Sequence, residues 1–181
     1  MHEKNLPQKL DVKQFGRSES TLVGQELLSN FKRLMQETQG LGGENAVEWS
    51  VRGGFKPSQA GQAQVWLFLT VEVVLPLVCQ RCMGPVNVPI QIDRAFRFVE
   101  TEAQAELEDD ESQEDVLVLS QDFDLAGLIE DEVLMDLPVV PRHDVCPVEI
   151  KLSATDASFE SEVKKPNPFS VLADLKGRSQ T

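Results

Sequence analysis

Two long alternating stretches joined by a short turn constrain this chain more than any other feature. In residues 64–78, Val65, Leu67, Leu69, Val71, Val73, Leu75 and Leu77 share one face, while Trp66, Phe68 and Val74 occupy the other. In residues 86–99, Val86, Val88, Ile90, Ile92, Phe96 and Phe98 share one parity and Asn87, Gln91, Asp93 and Arg97 the other; Arg94 interrupts the apolar face. Side chains alternate across a strand with a period of two, so both stretches read as strands. The connection, residues 79–85 (CQRCMGP), is too short for anything but a turn. The pair is therefore predicted to be an antiparallel hairpin, its first strand partly buried on both sides.

Weaker signals surround the hairpin. Val47, Trp49 and Val51 alternate with polar residues, and Gly53-Gly54 reads as the end of that strand, with a loop over residues 56–61. Residues 21–23 form a short candidate strand. Leu28, Phe31, Leu34 and Met35 recur at helical spacing and stop near Gln39-Gly40. Asp124 is a good N-cap for a helix over residues 125–136, with Leu125, Leu128, Ile129, Val133 and Leu137 as its apolar stripe; Pro138 and Pro141 end it. Residues 168–176 offer a last short helix, with Phe169, Leu172 and Leu175 three apart. Three or four antiparallel strands with separate helices predict an α+β domain, not an alternating βαβ one. The expected layout is residues 1–99 as helix and antiparallel strands, 100–115 as a mobile linker, 116–150 as a helix and a Pro/His/Cys block on the same domain, and 151–181 as a loose tail.

With 181 residues, one real core is possible. No apolar stretch reaches the ~18 residues of a membrane helix, and residues 1–5 lack the apolar region of a signal peptide, so a cytoplasmic protein is expected. Three cysteines, an odd number, argue against a purely disulfide-bonded fold. The formal charge of −13 is uneven: residues 98–141 hold 15 Asp/Glu and no Lys or Arg, while residues 1–97 carry 11 basic and 9 acidic side chains. The acidic segment, residues 100–115, has few large apolar side chains and self-repelling carboxylates, hence the expectation of a linker dispensable for folding. A near-neutral body beside an acidic arm can still carry a small cationic surface, or use the arm on a basic partner.

Chemistry concentrates at the hairpin turn. Cys79-x-x-Cys82 in a tight turn has the geometry of a zinc knuckle, which is half of a tetrahedral site. His143-x-x-Cys146 has the same spacing and follows Pro141, so the two halves together would make a Cys3His site. Reduced thiols in a turn, or a redox pair, are the alternatives; a redox CxxC usually opens a helix, whereas Cys82 leads into a strand. Arg81 lies inside the knuckle, Arg142 borders the second half, and Arg94 and Arg97 lie on the second hairpin strand. These four are candidates for contacting RNA or another partner, against a reading as scattered solubilising charge. Glu130-Asp131-Glu132 invites a Mg2+ reading, but neighbours on a helix point ~100° apart and do not converge on one ion. No phosphate-binding loop or nucleophile elbow is present, and no catalytic residue stands out.

The chain resembles the bacterial YceD-type large ribosomal RNA subunit accumulation proteins. The resemblance rests on residues 77–85 (LVCQRCMGP), Asp124-Leu125 leading into Glu130-Asp131-Glu132, residues 137–143 (LPVVPRH) with Cys146, and residues 165–176 (KPNPFSVLADLK). It implies a non-enzymatic factor for the synthesis, processing or stability of 23S ribosomal RNA. The partner implied is 23S RNA or a large-subunit precursor, met directly or through a basic ribosomal protein, with no membrane involved. Some relatives carry more cysteines after the proline block; here Cys146 is the only one, and zinc is the cofactor to test. An acidic module binding a basic ribosomal protein, or a metal-dependent RNA-processing enzyme, are the other readings.

Overall fold

The computed structural model describes residues 6–7, 9–57, 63–109 and 112–149. The chain forms two units, Met1–Cys146 and Pro147–Thr181. Every element below lies in the first; of the second, only residues 147–149 are described. The expected helix over residues 168–176 lies outside the described residues.

A five-stranded sheet organises the first unit, with strand order β1 (Thr21–Leu27), β2 (Ala46–Pro57), β3 (Ala63–Val78), β4 (Pro85–Val99) and β5 (Asp115–Val118). The first four form an antiparallel meander, and β5 pairs parallel to β4. The β3–β4 pair is the antiparallel hairpin expected, with Leu69 opposite Arg94, Leu75 opposite Val88 and Leu77 opposite Val86. Its odd-numbered β3 residues from Val65 to Leu77 are all buried, together with Val47, Trp49 and Val51 of β2 and Ile90, Ile92, Phe96 and Phe98 of β4. Helices α1 (Val12–Arg17), α2 (Lys32–Glu37) and α4 (Leu125–Met135) contribute Val12 and Phe15, Leu34, and Leu125, Ile129 and Val133 to the same core. The fold is therefore α+β, a mostly antiparallel sheet with few helices.

Several local readings change. Gly53-Gly54 does not end β2. A Cβ at Gly53 would stand 2.4 Å from the Phe15 carbonyl oxygen, and one at Gly16 would stand 2.6 Å from Val65 Cγ1. The two glycines thus let the backbone of α1 lie directly on the sheet, a contact that any side chain would block. The helical pattern from Leu28 to Met35 splits into a 3-10 turn, Leu28–Asn30, and α2, because Phe31 is extended (φ −105°, ψ 96°). No side chain of its own caps α2. Instead, Glu130 Oε1 of α4 accepts from the Arg33 and Leu34 amides at 2.7 and 3.3 Å, satisfying donors that a helix start leaves open. Asp124 caps α4 as expected, accepting from the Gly127 amide at 2.9 Å.

The acidic segment is not a plain linker. Residues Glu102–Asp109 form α3, which leads into β5. Ala105 packs with Val99, Val116 and Val118 in a small second cluster. Arg97, on the sheet face away from the main core, meets Glu108 of α3, and its Nη2 donates to Ser112 Oγ at 2.6 Å. Arg97 supplies the cation that offsets carboxylate repulsion within this acidic run.

Candidate metal centre

The turn between β3 and β4 is closed by backbone bonds. The Cys79 amide donates to the Gly84 carbonyl at 2.8 Å, and the Met83 amide to the Cys79 carbonyl at 2.8 Å. Met83 takes a left-handed conformation (φ 60°), with its side chain in solvent. This geometry turns backbone N–H groups toward sulfur: the amides of Arg81 and Cys82 approach Cys79, and that of Gly84 approaches Cys82. Cys79 is fully buried and Cys82 half-buried.

The second half arrives from beyond α4. Pro138 and Pro141 follow the helix, and the Pro141 carbonyl accepts from the Gln80 amide at 2.9 Å, which pins this stretch to the turn. Arg81 then braces it from the other side. Its Nη2 donates to the carbonyls of His143 at 2.6 Å and Asp144 at 3.2 Å, and its Nε donates to Cys146 Sγ at 3.2 Å. As a result the ligand atoms of Cys79, Cys82, His143 and Cys146 all lie within 4.8 Å of one another. Cys79 Sγ and Cys146 Sγ are 3.9 Å apart, and Cys82 Sγ and His143 Nδ1 are 3.5 Å apart. A tetrahedron with ~2.3 Å sulfur bonds and ~2.0–2.1 Å nitrogen bonds has S···S edges of about 3.8 Å and S···N edges of about 3.6 Å. The donor set and these two spacings therefore fit a four-coordinate metal, with Cys79 buried and the other three residues half-buried. The thiols are biased accordingly. Burial pushes the Cys79 thiol up, but the amides of Cys82, His143 and Arg81 and the His143 side chain outweigh it and hold it at about 5. For Cys82 the Gly84 amide favours the thiolate, but burial and the neighbouring Cys79 and Cys146 sulfurs raise it above the ordinary value. One sulfur is thus prepared as a thiolate, while packing several thiolates together without a cation is opposed.

The other candidate residues are placed differently. Arg81 is committed to the brace, a role the spacing of residues did not reveal. Arg142 is exposed beside the cluster. Arg94 faces the core side of the sheet, where its Nε lies 3.5 Å from Glu132 Oε2 of α4, a carboxylate only 7% exposed. Burial raises the Glu132 carboxyl above its usual range, against the pull of Arg94. Arg97 is buried in its α3 contacts. Arg97 is enclosed by its contact with Glu108 of α3, whereas Arg94 meets Glu132 with a side chain that stays 54% exposed. The acidic run of α4 is equally committed. Glu130 caps α2 and meets Arg33 Nε at 2.9 Å, Asp131 meets Arg33 Nη1, and Glu132 turns inward to Arg94. Glu130 and Asp131 thus meet on one guanidinium, that of Arg33, whereas Glu132 points away from them, so the three do not share one site.

Among the described residues, no helix is long and apolar enough to cross a membrane. The family model described as "Large ribosomal RNA subunit accumulation protein YceD" matches residues 67–176. A protein of that name from Haemophilus influenzae is 34% identical over 111 residues, covering 59% of this chain and 62% of that protein. The chain thus spans less than two thirds of the length of this curated relative. No solved structure matches significantly. The matched stretch contains the hairpin from Leu67 onward, the helix with Glu130, Asp131 and Glu132 and both halves of the cysteine cluster, and on that extent of agreement the chain belongs to the YceD family.

Proposed function

We propose that this protein is a non-enzymatic factor that supports accumulation of 23S ribosomal RNA, acting on that RNA or on a large-subunit precursor. The observation that carries the reading is family membership across residues 67–176. The commitment of the α4 carboxylates to Arg33, Arg94 and the start of α2 supports a binding role over metal-dependent RNA processing. Zinc is the proposed cofactor, held by Cys79, Cys82, His143 and Cys146. Its part is structural: it fastens the segment after α4 to the hairpin turn. Arg81 positions the second pair of ligands, and the exposed Arg142 is the cation offered at that end.

The test is a deletion strain. Loss of the protein should lower 23S RNA and large subunits relative to small ones, and the wild-type gene should restore them. Normal levels in the deletion strain would overturn the proposal. A second reading, an acidic module for a basic ribosomal protein, has the acidic α3 segment behind it. Capture of such a protein that is lost when residues 101–114 are replaced would favour it.

A further inference from the structure

The side of the sheet facing away from the main core carries a patch that the metal cluster does not explain. On this side β2 presents Ser50, Arg52, Gly54 and Lys56, and β3 presents Trp66, Phe68 and Thr70, with Arg52 opposite Phe68 and Gly54 opposite Trp66. Trp66 and Phe68 are half-buried, while Arg52, Lys56 and Thr70 are exposed. The two rings lie nearly parallel, 11° between planes and 6.1 Å between centroids. Arg52 Cζ stands 4.2 Å from the Phe68 centroid, and Lys56 Nζ stands 4.8 and 4.7 Å from the Trp66 and Phe68 centroids. Small neighbours make the arrangement possible. A Cβ at Gly54 would come within 2.8 Å of Phe68 Cε2, and Ala95 is the β4 residue opposite Phe68. The Trp66 indole N–H is covered and has no hydrogen-bond partner among the described residues. On the same side, Asp93 stands opposite Thr70, and Glu108 is already held by Arg97.

We infer that this face is a stacking platform for single-stranded RNA, with unpaired bases on Trp66 and Phe68 and backbone phosphates on Arg52 and Lys56. The chemistry favours that occupant. Two nearly parallel rings on adjacent same-face positions of a strand match successive bases, each of which has a π face. The cations above the rings complement phosphate, and a guanidinium plane also stacks on a base. Duplex RNA hides its base faces and would gain only the charges. The inference rests on the proposed role with ribosomal RNA and names where the strand would lie.

The experiment uses the full chain and a short single-stranded polyuridine RNA. There is no tyrosine and there are two tryptophans, of which Trp49 is 2% exposed, so a change in emission on binding reports Trp66. RNA should quench the emission. Trp66→Leu should abolish the quenching and, like Phe68→Leu, weaken binding on the order of tenfold. Arg52→Glu and Lys56→Glu, at exposed positions that spare the fold, should weaken binding and shallow its salt dependence, and a duplex of matched length should bind less tightly. RNA binding without quenching, at unchanged affinity in all four variants, would overturn the platform and leave the accumulation role to the deletion strain. Wild-type protein with no affinity for the RNA would overturn it too. So would variants that keep RNA affinity but lose a protein partner, since the face would then dock protein.

Discussion

Glu132 and Arg81 show how a single polar side chain is fixed by what packs around it. Burial raises the Glu132 carboxyl, so the folded chain holds a proton there over a pH range in which the unfolded chain has lost it. Within that range stability falls as pH rises, from the ordinary carboxylate value near 4.5 up to the raised folded value, and the cost persists above it. Glu132→Gln should remove this slope: in thermal melts, the variant should gain on the wild type as pH rises from 4.5 to neutrality. A constant difference across that range would contradict the assignment. Arg94 was visible in the sequence as a break in an apolar face, but its partner was not, because Glu132 belongs to a helix distant in sequence. Arg81 was visible as a cation between two cysteines, yet its use is internal. Arg81→Ala should loosen zinc roughly 10–100-fold, as loss of a ligand-orienting group does, measured by competition with a chelator. Unchanged affinity would make the brace incidental.

Elements were legible in proportion to their length and regularity. The β3–β4 hairpin was readable because thirty-odd residues repeat one period, and α4 because a capping Asp124 precedes an apolar stripe and two prolines follow it. By contrast, α1 has six residues and β5 four, too few for either period to stand out. Gly53-Gly54 carried the composition of a turn while serving close packing, a distinction that only the neighbour Phe15 reveals. For α3 the carboxylates dominated the composition, and its inward contacts are one small residue, Ala105, and one ion pair. Ala105→Asp places a charge against Val99 and Val116 and should cost about 1–3 kcal/mol, seen as a lower midpoint in denaturant melts. An unchanged midpoint would restore the linker reading. The cysteine cluster was legible in its four residues, although the amide donors that surround Cys79 depend on turn geometry and left no mark in the spacing.

At the scale of the whole molecule, the metal and the sheet make different demands. Purified protein should contain about one zinc per chain by elemental analysis, and Cys82→Ser should lose it. Because the sheet has its own core, that variant should keep its strand signal and melt at a lower temperature; a metal-free wild type would end the zinc assignment. The strand order has a consequence in time. The β3–β4 hairpin closes across a short turn, with Val78 opposite Pro85, whereas β5 meets β4 only through the crossover that α3 forms, with Phe96 opposite Asp115. Local pairings close before distant ones, so the long hairpin is the natural folding nucleus and β5 with its helix a late addition. Substitutions at Leu69 should then chiefly slow refolding, and those at Ala105 or Val116 chiefly hasten unfolding. Stopped-flow chevrons of Leu69→Ala and Val116→Ala measure this, and the opposite partition would show that assembly starts from the acidic end of the sheet.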